Sequence, residues 1–236
     1  MSKDPLSAPT GRHGKSFRPL GDALNWRGSR ELAFWILLLG TWQFLAARGS
    51  RNTFIGCIGT AVFLIMAWRN LDRLRELGLD HARWRSVRPA TWFLAAATGF
   101  IAGGSVFGLV SLSGQDMKLS DDGKLILLQV TLGPVLEEIL FRGYLFAVLL
   151  WILGRIQKTQ WNALVVPVAA VMFAVVHLSG PGWSWLQVAC ITSTGVLYGA
   201  LRFLSGSAAP AAMAHAAYNL TLYAVASALK LLGDSS

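Results

Sequence analysis

Seven runs of mostly apolar residues divide this chain, at 32–47, 53–68, 91–113, 124–153, 162–179, 184–204 and 208–232. A hydrocarbon core about 30 Å thick needs ~20 such residues to be crossed by a helix. In lipid every backbone N–H and C=O must be paired within the protein, so runs of this length are read as helices. We therefore expect an all-α fold: a polytopic transmembrane bundle of about seven spans. The first two runs are short enough to form one helical hairpin. Composition agrees, since 54% of the residues are hydrophobic and only 14% are charged. A soluble chain carries about a quarter charged residues.

Charge is unevenly placed. Residues 1–90 hold fourteen Lys or Arg against six Asp or Glu, which is +8 of the net +9. A basic chain can signal nucleic acid, but basic loops beside apolar spans mark the cytoplasmic face of a membrane protein. We expect no nucleic-acid partner. The basic stretches at 1–31 and 69–90, the acidic loop 114–123 and the basic pair Arg155 and Lys158 alternate. That alternation sets the N-terminus inside and, with seven spans, the C-terminus outside. The expected organisation is a disordered basic cytoplasmic arm at 1–31, N-terminal spans with a basic interfacial loop at 32–123, and a membrane core at 124–232. The first apolar run reads as an uncleaved anchor. The segment 69–77 suits either a helix lying on the membrane surface or a plain basic loop. Cys57 and Cys190 both fall in spans, so no disulfide framework is indicated. Gly104-xxx-Gly108 and Gly195-xxx-Gly199 suggest close helix packing.

The polar residues inside the spans are more telling. Glu137 and Glu138 are adjacent in the fourth run, and they are the only carboxylates in any run. A charge at bilayer depth costs roughly 3 kcal/mol on insertion scales, so each needs a partner or a function. On a helix Glu138 and Arg142 are neighbours, with the glutamate on the favourable N-terminal side. They form a buried structural ion pair. Glu137 points about 100° away and has no cation on its own helix. Either it too shares Arg142 and the pair locks helices together, or it is free for proton exchange near neutral pH. His177 ends the fifth run, while His215 and Asn219 lie four apart in the seventh. Intramembrane ionisable groups are functional candidates by default.

The ordered series Glu137-Glu138-xxx-Arg142, Phe173-xxx-His177 and His215-xxx-Asn219 resembles the CPBP intramembrane proteases. That superfamily includes the type II CAAX prenyl endopeptidases and the bacterial Abi proteins linked to bacteriocin immunity. The resemblance covers roughly residues 124–225 and is supported by Phe141-Arg142-Gly143 and Pro210. It implies hydrolysis of a peptide bond within the membrane. By position, Glu137 and His177 would activate water, and His215 and Asn219 would stabilise the oxyanion. Glu138, Arg142 and Phe173 would support the site. The implied substrate is a membrane-anchored peptide or protein, and the setting is the lipid bilayer of a bacterial inner membrane.

A Glu/His/His set also meets the ligand count of a catalytic zinc. Nothing in the chain matches the His-Glu-x-x-His helix of zincins. We favour a cofactor-free glutamate mechanism and keep zinc as the alternative. Two other functions compete: a non-enzymatic immunity or binding module of the same fold, and a proton-coupled transporter. The chain shows no inverted repeat of the kind many transporters carry. One geometric tension remains. His177 sits at the outer end of its run, and His215 lies about eight residues into its own, nearer the inner side. They can meet only if residues 178–185 dip into the membrane or the helices tilt.

Overall fold

Arg88 is extended and Pro89 follows at the first helical position, where its missing N–H costs no hydrogen bond. This start opens α1, Pro89–Leu112. The computed structural model describes residues 84–85, 87–115, 117, 119–156, 159–177 and 184–233. The arm 1–31, the runs at 32–47 and 53–68 and the basic segment 69–77 lie outside the described residues.

Every described element is helical. Asp122 caps the next helix, its carboxylate accepting the Lys124 N–H at 2.9 Å, and α2 runs Gly123–Val130. The chain then breaks at Thr131 (φ −114°, ψ −79°) and resumes as α3, Leu132–Glu138. Pro134 explains part of the break, because it has no N–H to offer the Val130 carbonyl. A π-helical segment follows, Ile139–Leu145, in which the Phe146 N–H reaches back five residues to Phe141 O. It passes into α4, Phe146–Arg155. The run expected as one span at 124–153 is thus three α-helical pieces and a π-turn. The glutamates sit where α gives way to π, a distortion that often marks functional sites.

A 3₁₀ turn, Thr159–Leu164, leads into α5, Val165–His177. Ser184 caps α6, Trp185–Ser205, by accepting from Gln187 N–H. Gly206, at φ 69°, ends α6 in the left-handed conformation that glycine adopts without steric cost. That sharp stop sends the chain straight into α7, Ala209–Gly233.

Two helix pairs build the bundle. Gly195 lies against Ala170 and Gly199 against Val166, so α5 and α6 run antiparallel in a fixed register. Gly99 lies against Ala214 and Ala217, and Gly103 against Tyr218 and Thr221, so α1 and α7 run parallel. Parallel α1 and α7 are what alternate crossings of the intervening chain require. The packing expected of Gly195-xxx-Gly199 is therefore present. At Gly104 and Gly108 no described residue outside their own helix backbone comes within 4 Å of a β-carbon. The face that packs is Gly99-xxx-Gly103, with buried Ala95 and Ala102 beside it. Helical spacing allows both faces, and only the small residues facing them on α7 decide between them.

Polarity is inverted relative to a soluble protein. Glu138, Arg142, Arg202 and His215 are buried, while Phe93, Leu112, Trp185 and Leu204 are exposed. α1 and α6 are long and apolar enough to cross a membrane.

Candidate active site

The site is built around Arg142, which is fully buried in the π-helical segment. One guanidinium nitrogen, Nη1, donates to Glu138 Oε1 at 2.9 Å, and Nη2 donates to Gly195 O at 2.9 Å. Glu138 is equally buried, so the ion pair lies wholly out of solvent. Gly195 also lets α6 come close to α5, since a β-carbon there would stand 3.1 Å from Ala170 Cβ. The guanidinium is sandwiched between two rings, 4.6 Å from the centre of Phe173 and 5.4 Å from that of Tyr198.

His215, on α7, joins this group from the other side. Its Nδ1 is 3.0 Å from Glu138 Oε1. A carboxylate facing Arg142 is an acceptor, so Nδ1 carries the hydrogen and donates it. His177, on the last turn of α5, folds its imidazole back over its own helix, and Nδ1 donates to Phe173 O at 2.7 Å. Both tautomers are thereby assigned by their partners. Each neutral ring then presents the lone pair of Nε2, and both lone pairs face Glu137 Oε2. The distances are 3.6 Å from His177 and 3.9 Å from His215. These are too long for direct hydrogen bonds. Oε2 itself has no hydrogen-bond partner among the described residues, although the Glu137 side chain is 29% exposed.

Three lone pairs converging in a low-dielectric space repel one another unless hydrogens or a cation lie between them. A water supplies two hydrogens and a shared proton supplies one. A zinc cage fits less well. Ligands about 2.1 Å from a tetrahedral zinc stand roughly 3.4 Å apart, and both separations are wider. Among the described residues no group of three or more His, Cys, Asp or Glu is placed to hold a metal ion.

The structure thus brings Glu137, Glu138, Arg142, Phe173, His177 and His215 together. Among the described residues Glu137 makes no ion pair with Arg142, and two histidines reach it from other helices. The residues at 178–183 that connect α5 to α6 lie outside the described residues. Asn219 is placed differently from the others. Its amide donates to Gln129 O at 2.7 Å, near the end of α2. In an unbroken helix that carbonyl would receive the N–H of Gly133, so Asn219 stands in for a bond lost at Thr131. Tyr223, one turn further on, is hydrogen-bonded through its hydroxyl to the Gln129 side chain.

Two contributors escaped the sequence reading. Arg202 on α6 is 3% exposed, and its Nε donates to Arg142 O at 2.8 Å, tying α6 to the π-segment. A cation within Leu201-Arg202-Phe203-Leu204 is as costly in lipid as the glutamates, and that signal was available. Tyr198 carried no signal beyond lying between Gly195 and Gly199.

Comparison with known families places this constellation. Residues 123–221 match the family described as type II CAAX prenyl endopeptidase Rce1-like. The segment is similar to the Rce1-like family over these residues, a little under half of the chain. The match begins at the first residue of α2 and ends on α7 two residues past Asn219, so it encloses every side chain of the site. No curated protein and no solved structure matches the chain. An Rce1-like domain implies a CAAX-type protease acting on a peptide or protein, and Rce1-like proteins are membrane proteins.

Proposed function

We propose that the chain is a multi-pass intramembrane endopeptidase that hydrolyses a peptide bond of a membrane-anchored peptide or protein. One observation carries the proposal: Glu137 Oε2 is faced by two imidazole Nε2 atoms whose Nδ1 atoms are both committed elsewhere. This is a site for holding and moving a proton.

A water between Glu137 and His177 loses a proton to the carboxylate as its oxygen attacks the scissile carbonyl carbon. His177 Nε2 accepts the water's second hydrogen bond and orients it. The carbonyl oxygen becomes an oxyanion. In this scheme the shared proton between His215 Nε2 and Glu137 Oε2 rests on His215, and His215, held by Glu138, donates it as a hydrogen bond to the oxyanion. The amide of Asn219 has a second N–H beyond the one engaged by Gln129, and it is the further donor in this scheme. One preorganised donor is worth about 3–4 kcal/mol. When the intermediate collapses, the carbon–nitrogen bond breaks and Glu137 returns its proton to the leaving amine. Glu138, Arg142 and Phe173 hold the histidines and the π-segment in place. No cofactor enters this scheme. In this proposal the last four crossings enclose a water-accessible cavity, the N-terminus is cytoplasmic, and the membrane is the bacterial inner membrane.

The test is direct. Purified protein in nanodiscs is incubated with a library of lipid-anchored peptides, and products are identified by mass spectrometry. The proposal expects internal cleavage by the wild type and none by Glu137→Gln. Products that are identical for the two proteins overturn it.

A further inference from the structure

Tyr198 is 1% exposed on α6, and its hydroxyl has no hydrogen-bond partner among the described residues. A buried hydroxyl without a partner is destabilising. A phenyl ring would fill the same space without that penalty, so whatever the residue contributes comes from its ring. That ring lies flat on the His215 imidazole, with centroids 5.0 Å apart and planes 20° from parallel. Phe173 meets the same imidazole edge-on, at 5.8 Å and 87°. A hydrogen bond from Nδ1 to Glu138 fixes one atom of the imidazole but leaves the ring free to tilt about it. Two aromatic surfaces at nearly right angles remove that freedom. They leave Nε2 aimed at Glu137 Oε2.

We propose that Tyr198 is a positioning residue for His215, acting through the face of its ring and not through its hydroxyl. Tyr198 also covers the Arg142 guanidinium, so it touches both partners of Glu138. Its effect on turnover rests on the protease function proposed above, whereas the stacking itself does not.

The experiment compares Tyr198→Leu, Tyr198→Met and Tyr198→Phe in nanodiscs. Steady-state cleavage of an identified peptide gives kcat and KM. In parallel, NMR of histidine-labelled protein follows the His215 ring protons, assigned by their absence in His215→Gln. A stacked aromatic pair is worth roughly a three- to tenfold effect. We expect Leu and Met at this position to lower kcat by about that factor with KM unchanged, and Phe to restore it. The ring-current shift of His215 should vanish in the Leu and Met variants and persist in Phe. If Leu prevents folding, the Met and Phe pair decides. Equal loss in Phe and Met overturns the proposal by making the hydroxyl the working part. Unchanged kcat and unchanged His215 shifts in Leu or Met also overturn it. A wild type that cleaves nothing overturns the protease function instead, and the ring shifts alone then support or overturn the stacking.

Discussion

The close approach of α1 to α7 at Gly99 makes a single methyl group decisive. A β-carbon added at Gly99 would stand 2.7 Å from Ala217 Cβ and closer still to the Ala214 carbonyl oxygen. Carbon atoms in contact sit about 3.5–4.0 Å apart. The helices must therefore separate by roughly 1 Å to admit the methyl group. Backbone cannot swing aside as a side chain can, so the strain passes into α7. Overpacking of this kind costs about 1–3 kcal/mol. Gly99→Ala should lower the melting temperature by several degrees. His215 directly follows Ala214, so the same displacement moves an imidazole held by one 3.0 Å bond. A misplacement of ~1 Å at a reacting group can cost about 10²-fold in rate. Gly104→Ala is the matched control, since its β-carbon meets no described residue within 4 Å. The assay is thermal unfolding in one detergent, followed by cleavage rates in nanodiscs. Equal melting temperatures for the two variants would refute the packing assigned to α1 and α7.

Arg142→Met should lower the melting temperature by on the order of 10 °C, because it strips a buried carboxylate of its main partner. Adding Glu138→Gln should recover part of that loss, and an unchanged single mutant would show that the pair contributes little. Asn219→Ala should reduce kcat by about 10²-fold as a lost oxyanion donor, with a fall of a few degrees in melting temperature for the lost bond to Gln129. A stability loss with full activity would assign Asn219 to the helix break alone. Elemental analysis should find no stoichiometric transition metal, and activity should survive EDTA and phenanthroline. One equivalent of zinc, with activity lost on chelation and restored by zinc, would make Glu137, His177 and His215 ligands.

Much of the site was legible because lipid penalises polar groups. Glu137, Glu138, Arg142, His177 and His215 stand out against apolar neighbours, and helical spacing pairs Glu138 with Arg142. What spacing does not contain is contact between helices. Nothing local says that His215 reaches Glu138, or that Asn219 reaches the Gln129 carbonyl. For the same reason the spacing could not say that Gly99 and Gly103, and not Gly104 and Gly108, would be the glycines of α1 that meet α7. A small-residue face is recognised by its neighbour, and Ala214 and Ala217 lie more than a hundred residues away. The break at Thr131 was half visible, since Gly133 and Pro134 mark weakness, but the π-segment after it has no sequence signature. Its placement depends on Arg142 reaching Glu138 and Gly195 at once and on Arg202 holding the Arg142 carbonyl.

The central claim is that Glu137 accepts the proton of the attacking water. Its most direct test is kcat for Glu137→Gln on a peptide the wild type cleaves, measured on protein that remains monodisperse. Glutamine keeps the size of the side chain and removes the base. The account predicts a loss of about 10²–10⁴-fold, the range of general acid–base catalysis, with His177→Ala losing a comparable factor. A Glu137→Gln enzyme that retains the wild-type rate would contradict it.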